Sequence, residues 1–195
     1  MPRLAQGGRT RLQSALASES RPVAIGELSA GGERMLRGGI GILSIEGRFA
    51  AMATPIQVVF DCTHPGQLAS FWAAALHYQE QPPPEGFETW EDALRAWGIP
   101  EELFDSRSAV IDPDGQGPRI FFQQVPEGKT VKNRVHLDLS VSGGPSVAPD
   151  ERRKRVDAEV VRLREAGATV LREVEEIGEY WIVMQDPEGN EFCVQ

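Results

Sequence analysis

Residues 186–195 have the sequence DPEGNEFCVQ, which begins as a tight turn and continues as a strand. A second turn of the same kind, DPDG, occupies residues 112–115 and precedes another strand-like run. In both turns proline fixes one backbone dihedral and glycine supplies the positive φ that closes the turn. Two copies of one turn between strands indicate an internal repeat.

The first copy spans about residues 54–126. Residues 56–62 are β-branched and apolar, as in a strand, and Pro65 suits the first position of a helix. That helix has a single apolar stripe formed by Leu68, Phe71, Trp72, Ala75 and Leu76. The remaining predicted elements are a short helix at 88–97 and strands at 108–112 and 119–125.

The second copy spans about residues 131–195 and repeats this order. Asp150 is expected to cap a helix that ends at Gly167 and whose inner face is Val156, Val160 and Leu163. Strands are predicted at 134–141, 169–174, 180–185 and 191–195. The repeat therefore predicts an α+β fold of two βαβββ modules. They would form a curved, barrel-like mixed sheet with helices on the outer face and a cavity on the inner face.

Three segments resemble a known family. They are the run 57–62 with Phe71 and Trp72, the run VKNRVHLDL at 131–139, and the run DPEGNEFCV at 186–194. Together they resemble the vicinal oxygen chelate superfamily, which includes glyoxalase I, extradiol dioxygenases and bleomycin resistance proteins. The most similar subgroup is the glyoxalase-like domain, and the resemblance covers residues 54–195. Because this fold hosts many chemistries, the resemblance specifies the fold better than the function.

The resemblance implies a divalent metal bound by the first and last strands of each module. Its four ligand positions fall on Gln57, Phe121, His136 and Cys193. Phenylalanine cannot bind a metal, glutamine is a weak ligand, and cysteine suits zinc better than harder ions. Gln57, His136 and, if it reaches inward, Glu191 are weak metal candidates. We therefore expect no tightly bound metal, and the sequence identifies no other cofactor.

Strand alternation divides the side chains of these strands between two faces. The cavity face carries mostly polar side chains: Gln57, Val59, Asp61, Arg119, Phe121, Gln123, His136, Asp138, Ser140, Glu191, Cys193 and Gln195. The opposite face is apolar: Val58, Phe60, Ile120, Phe122, Leu137, Leu139, Phe192 and Val194. Cys62 and Cys193 fall on opposite faces, so no disulfide is expected between them.

Three cavity residues are catalytic candidates. His136 would act as a general acid or base, poised by Asp138 or Glu191; the alternative is a structural imidazole. Glu191 has the alternative of pairing with Arg119 across the sheet.

The remaining cavity residues are substrate-binding candidates: Gln57, Asp61, Arg119, Phe121, Gln123 and Cys193. Cys193 has the alternative of being a small buried apolar residue. Trp90 would lie over the cavity mouth, or else fill a lid or the core.

Charge is distributed unevenly along the 195 residues, whose formal net charge is −9. Residues 1–51 contain seven Arg and four Glu, a net charge of +3, so the other 13 basic and 25 acidic residues give −12. A disordered or non-native extension is expected at 1–51 and a single domain at 52–195, where Met52 resembles a start. The acidic domain argues against binding to nucleic acid or anionic membranes. Two cysteines and no membrane-length apolar run favour a reduced, cytoplasmic setting.

These observations predict a glyoxalase-like protein that binds a small polar organic molecule in the sheet cavity, with or without acid–base catalysis. The alternatives are a binding-only protein for resistance or sequestration, and a metal-dependent lyase or dioxygenase. Whether the protein is an enzyme stays open at this point. Open sheet edges also predict a homodimer.

Overall fold

A computed structural model describes residues 54–195, and the prediction for residues 1–51 lies outside them. The first module starts with β1 (Gln57–Cys62) and α1 (Pro65–Leu76). It continues with β2 (Gln79–Glu80), α2 (Trp90–Ala96), a 3-10 helix (Glu101–Ser106), β3 (Arg107–Ile111) and β4 (Arg119–Gln124). Its sheet has the order β1-β4-β3-β2, in which only the β1–β4 pair is parallel.

The second module repeats this arrangement. Its elements are β5 (Asp138–Leu139), α3 (Pro149–Glu165), β6 (Thr169–Glu176), β7 (Glu179–Gln185) and β8 (Glu191–Val194). The sheet order is β5-β8-β7-β6, again with one parallel pair, β5–β8. The α+β class and the two βαβββ modules are thus confirmed, as two mixed four-stranded sheets rather than one closed barrel.

Two local predictions were wrong. The strand predicted at 134–141 is only Asp138–Leu139, because the backbone bonds of this segment with β8 and Gln195 begin only at Leu137, from which they run to Ser142. Asp150 does not cap α3, which starts at Pro149 with Ala148 at the N-cap and no side-chain bond. Proline suits the first helical position, where its missing N–H has no partner to lose, and Asp150 stabilises the helix dipole from the first turn.

The apolar faces of both sheets form one core with α1 and α3. Its largest fully buried side chains include Trp72, Phe122 and Phe192. The Trp72 ring lies 5.2 Å from that of Phe60 and 5.3 Å from that of Phe192, so it joins the two modules. The strand face that alternation predicted to be apolar is therefore the face that packs under the helices.

The second module also binds both ends of α1. The Glu188 carboxylate accepts hydrogen bonds of 2.7 Å from the backbone N–H groups of Thr63 and His64. At the other end, Arg162 donates to the carbonyls of Ala74 and Ala75 at 2.8 and 3.2 Å. An anion at the N-terminus and a cation at the C-terminus both stabilise a helix through its dipole. The first helix is thus positioned by residues far from it in sequence.

The four edge strands of the two sheets are β1, β2, β5 and β6. β6 is the longest of them, and it exposes Val170 and Leu171. Exposed edges are usually paired or covered, so self-association as a dimer stays our prediction. Sedimentation velocity should show a dimer at micromolar concentration, and a single monomer species would contradict the prediction.

Candidate functional site

Two cavities meet at His136. The second-module cavity, of about 890 Å³, is lined by His136, Asp138, Ser140, Trp181, Cys193 and Gln195 together with the first turns of α3 and residues of β6 and β7. The intermodule cavity, of about 520 Å³, is lined by β1 residues, the segment 125–137 and the last turn, and includes Asp61 and Glu191. His136 is therefore accessible from both.

His136, Asp138 and Cys193 form a compact group. His136 and Asp138 share a face of the chain because they are two residues apart, and Asp138 pairs with Cys193 across the parallel β5–β8 ladder. The His136 Nδ1 lies 3.2 Å from Asp138 Oδ1. One donor atom from each residue lies within 4.8 Å of the others. The predicted proximity of His136 to Asp138 is thus present in the structure.

Cys193 is a protonated thiol at neutral pH. Burial, and after it the negative charge of Asp138, raise the pKa of the Cys193 thiol to about 11. A thiolate is the reactive form of cysteine, so this position lacks an activated nucleophile. Cys193 lines the wall of the second-module cavity.

Glu191 is bound by neighbours other than those expected. Its Oε2 accepts hydrogen bonds from the backbone N–H of Asn133 at 2.9 Å and from Lys129 Nζ at 3.0 Å. The Asn133 N–H and the charge of Lys129 lower the pKa of Glu191 to about 2. Pairing of Glu191 with Arg119 was therefore a wrong alternative. The carboxylate is held as an anion on the intermodule cavity wall, and the carboxylate that contacts His136 is that of Asp138.

The first-module candidates form a separate group on β1 and β4. Arg119 Nε donates to Gln81 Oε1 at 2.7 Å, its Nη1 donates to Gln57 Oε1, and its guanidinium lies 5.1 Å from the Phe121 ring centre. Asp61 accepts a 2.7 Å hydrogen bond from Gln123. Trp90 lines neither cavity; its indole N–H donates to the Gln81 carbonyl at 2.8 Å, and its ring packs against Trp97. Trp90 therefore does not lie over the mouth of either of these two cavities.

Five residues of these sites were not predicted from the sequence: Gln81 beside Arg119, and Trp181, Arg152, Arg153 and Tyr180 on the wall of the second-module cavity. Trp181 could have been found, because alternation along β7 places it on the same side as Val183, which pairs with Cys193. Gln81 lies in a proline-rich connection that has no periodicity.

A family model described as "Glyoxalase-like domain" matches residues 57–195. The chain belongs to the glyoxalase-like domain family. No curated protein matches the chain.

Several solved structures resemble this glyoxalase-like domain in fold. One is a glyoxalase/bleomycin resistance protein/dioxygenase family enzyme from Burkholderia phytofirmans PsJN, 17% identical over 71% of this chain and 94% of that chain, with a TM-score of 0.46. Another is a possible glyoxalase from Bacillus cereus, 12% identical over 74% and 99%, with a TM-score of 0.47. A third is a fosfomycin resistance protein from Listeria monocytogenes in complex with Mn(II) and 1S,2S-dihydroxypropylphosphonic acid, 10% identical over 74% and 89%, with a TM-score of 0.44.

The metal site that the superfamily implies does not fit this glyoxalase-like domain. Phe121 offers no donor atom, and Gln57 gives its carbonyl oxygen to Arg119. Glu191 is engaged by Lys129 and Asn133. Among residues 54–195 the donor group that does converge is His136, Asp138 and Cys193, all from the second module. Within residues 54–195, the inherited ligand positions of the two modules therefore do not form a site for a divalent metal.

The poor fit of the inherited ligand positions predicts a low metal content for the purified protein. Protein purified without chelator should contain well below one equivalent of divalent metal by mass spectrometry, because the inherited ligands do not converge. If added zinc binds at all, Cys193→Ser should weaken it and Glu191→Ala should not, since Glu191 is already paired. Cys62→Ser is the matched control for loss of a thiol. Full occupancy by nickel, iron or zinc in untreated protein would contradict this prediction.

The reactivity of the two cysteine thiols gives a second testable prediction. Both cysteines are free and buried, which confirms that they form no disulfide. Burial and the nearby charges of Glu188, Asp61 and Asp186 raise the pKa of Cys62 to about 12. Neither thiol should therefore react with iodoacetamide at pH 8 in the folded protein, and both should react after unfolding. Intact mass will count the labels; rapid labelling of the folded protein would oppose the prediction.

Among the described residues, no helix is long and apolar enough to cross a membrane.

Proposed function

We propose that this glyoxalase-like domain binds a small polar organic molecule in the second-module cavity and that His136 exchanges a proton with it. The observation that carries the proposal is the 3.2 Å contact between His136 Nδ1 and Asp138 Oδ1 on the cavity wall. A carboxylate on Nδ1 favours the tautomer with the proton on that nitrogen, which leaves a lone pair on Nε2. His136 can then accept a proton at Nε2 while Asp138 stabilises the imidazolium that forms.

The cavity wall supports a polar ligand. Arg152 donates to Glu179 at 3.0 Å, and Arg153 pairs with Glu175 and lies 4.0 Å from the Tyr180 ring centre. These pairs put both signs of charge beside the apolar surface of Trp181. Polar groups placed on a cavity wall fix the orientation of a small molecule and give it specificity.

Substitution of His136 tests the proposal. We would screen 2-oxo aldehydes, catechols and small hydroxy acids for binding and turnover, then compare His136→Ala with the wild type. General acid–base catalysis contributes roughly a hundredfold or more, so turnover should fall by about that factor. His64→Ala is the matched control, since His64 is exposed and its side chain makes no capping bond. Full turnover by His136→Ala would reject the role of His136.

A binding-only protein is the second candidate. It is favoured by the state of Glu191, whose carboxylate is already bound by Asn133 and Lys129 and so is not free as a second proton-transfer group. Calorimetry would then show stoichiometric ligand binding in the cavity with no product formed. Such binding should still weaken in His136→Ala, because His136 lines the cavity.

A further inference from the structure

Arg119 is a half-buried cation without an acidic partner among residues 54–195. Its hydrogen bonds go to the neutral side-chain amides of Gln81 and Gln57, and its guanidinium stacks near Phe121. The third nitrogen, Nη2, is buried and has no hydrogen-bond acceptor. Burial lowers the pKa of the Arg119 guanidinium, because it removes water from the charged group.

Several other arginines of this acidic chain are paired with carboxylates. Arg95, Arg153 and Arg162 each contact an acidic side chain. Residues 52–195 contain 25 acidic residues, and yet none of those within the described residues contacts Arg119. A guanidinium stays protonated in proteins, so its charge persists when it is desolvated. An unpaired buried charge lowers stability unless something else compensates it.

Arg119 lines neither cavity, but it lies close to the intermodule cavity. It pairs directly with Gln57 on β1, and Val59 lies two residues further along the same face of that strand. Val59 lines the intermodule cavity together with His136. Two residues of strand span roughly 7 Å, the length of a small molecule. Gln57 is exposed, so an incoming group can take its place on Nη1 without disturbing the core.

We propose that Arg119 is an anion anchor that binds a carboxylate group of the ligand, and this rests on the proposed function of the second-module cavity, which the intermodule cavity beside Val59 meets at His136. Neutral amides hold the guanidinium without neutralising it, and Phe121 fixes its plane. Arginine is well suited to this task, because its fork of N–H donors matches the geometry of a carboxylate. The ligand would then extend past Val59 towards His136.

The experiment titrates the full chain with L-lactate and follows the Arg119 Nε–H and Gln57 side-chain amide signals by NMR. L-Lactamide, of nearly the same shape but uncharged, is the matched probe, and inorganic phosphate shows whether the site prefers a carboxylate. We expect saturable shifts with lactate, weaker ones with phosphate and none with lactamide. Equal responses to lactate and lactamide would overturn the proposal, and tighter binding of phosphate would overturn its carboxylate preference.

Variants separate an anchor from a structural residue. Arg119→Gln should raise the Kd for lactate about tenfold or more, because a charge-assisted bond is lost, whereas Arg119→Lys should keep part of the affinity. Arg95→Gln removes an exposed, paired cation and should leave the Kd unchanged. The thermal midpoint of Arg119→Gln should stay near that of the wild type or rise. A clear fall in midpoint with an unchanged Kd would show that Arg119 only supports the fold.

The anchor and the proposed function can fail separately. The readout is the Arg119 side chain and the probe is an anion, so the measurement does not depend on turnover. Lactate binding at Arg119 without His136-dependent turnover or ligand binding would reject the proposed function and retain the anion site. Turnover that depends on His136, with no response at Arg119, would reject the anion site alone.

Discussion

Asp186→Ala should lower the thermal midpoint of the protein by roughly 10 °C, through a loss of about 3 kcal/mol in the free energy of unfolding. Asp186 is only 3% exposed. Its carboxylate accepts hydrogen bonds from the Trp72 indole at 3.2 Å, from the Glu188 backbone at 3.0 Å and from both the backbone and side chain of Asn190. Alanine would leave these buried donors without an acceptor, which costs more than the bonds themselves contribute.

The first module provides a matched control in Asp112, the equivalent residue of the DPDG turn. Asp112 accepts bonds only from nearby backbone N–H groups, at 2.9 Å from Asp114 and Gln116 and at 2.6 Å from Gly117. It contacts no residue of the other module through these bonds. Asp112→Ala should therefore lower the midpoint less than Asp186→Ala. Equal losses would show that the turn, rather than the link to Trp72, is what Asp186 stabilises.

The two aspartates should also differ in the sign of their pH dependence. Backbone N–H groups lower the pKa of Asp112, so its stabilising effect is present above the unfolded pKa of 3.8 and is lost as the pH falls below it. Burial raises the pKa of Asp186, so the folded state binds its proton more tightly, and stability decreases as the pH rises from 3.8 through the raised value. Asp186→Ala should therefore remove the fall in stability with rising pH that this residue causes. Urea unfolding of the wild type and the variant between pH 3 and 7 would measure the difference.

Local sequence patterns were sufficient to predict the modules and the two faces of each strand. The i, i+3, i+4 stripe of α1 and the DPDG and DPEG turns are local features, so they are readable without the fold. Alternation placed Phe122 and Phe192 in the core and brought His136 and Asp138 to one face, as the structure has them.

The features that the sequence did not predict depend on contacts between residues far apart in the chain. The partners of Glu191 are Asn133 and Lys129, about 60 residues away in a loop without periodicity, so no pattern could assign them. Gln81 meets Arg119 for the same reason. The length of β5 was overestimated because Val135, although β-branched, is 82% exposed and lies before the first backbone bond to β8. Propensity could not show how far a neighbouring strand extends.

Neither module should fold alone: residues 54–126 and 131–195, produced separately, are each expected to lack a cooperative thermal transition. A single core cluster contains side chains of both modules, with Trp72 and Phe71 of the first against Phe192 of the second. A module of roughly 70 residues buries too little surface to lose such contacts and remain stable. It would also lose Glu188 and Arg162, which bind the two ends of α1.

Near-UV circular dichroism and heat-induced unfolding of each module would test this, because Trp72 reports on core packing. Mixing the two modules should restore the near-UV signal, since the missing contacts are non-covalent. In the mixture, Asp186→Ala in the second module should weaken the association, because the buried bond from Trp72 crosses from one module to the other. A cooperative transition in the first module alone would contradict the prediction. It would mean that the repeat consists of two independently stable units, and that the contacts of Trp72 with the second module add to a core already complete.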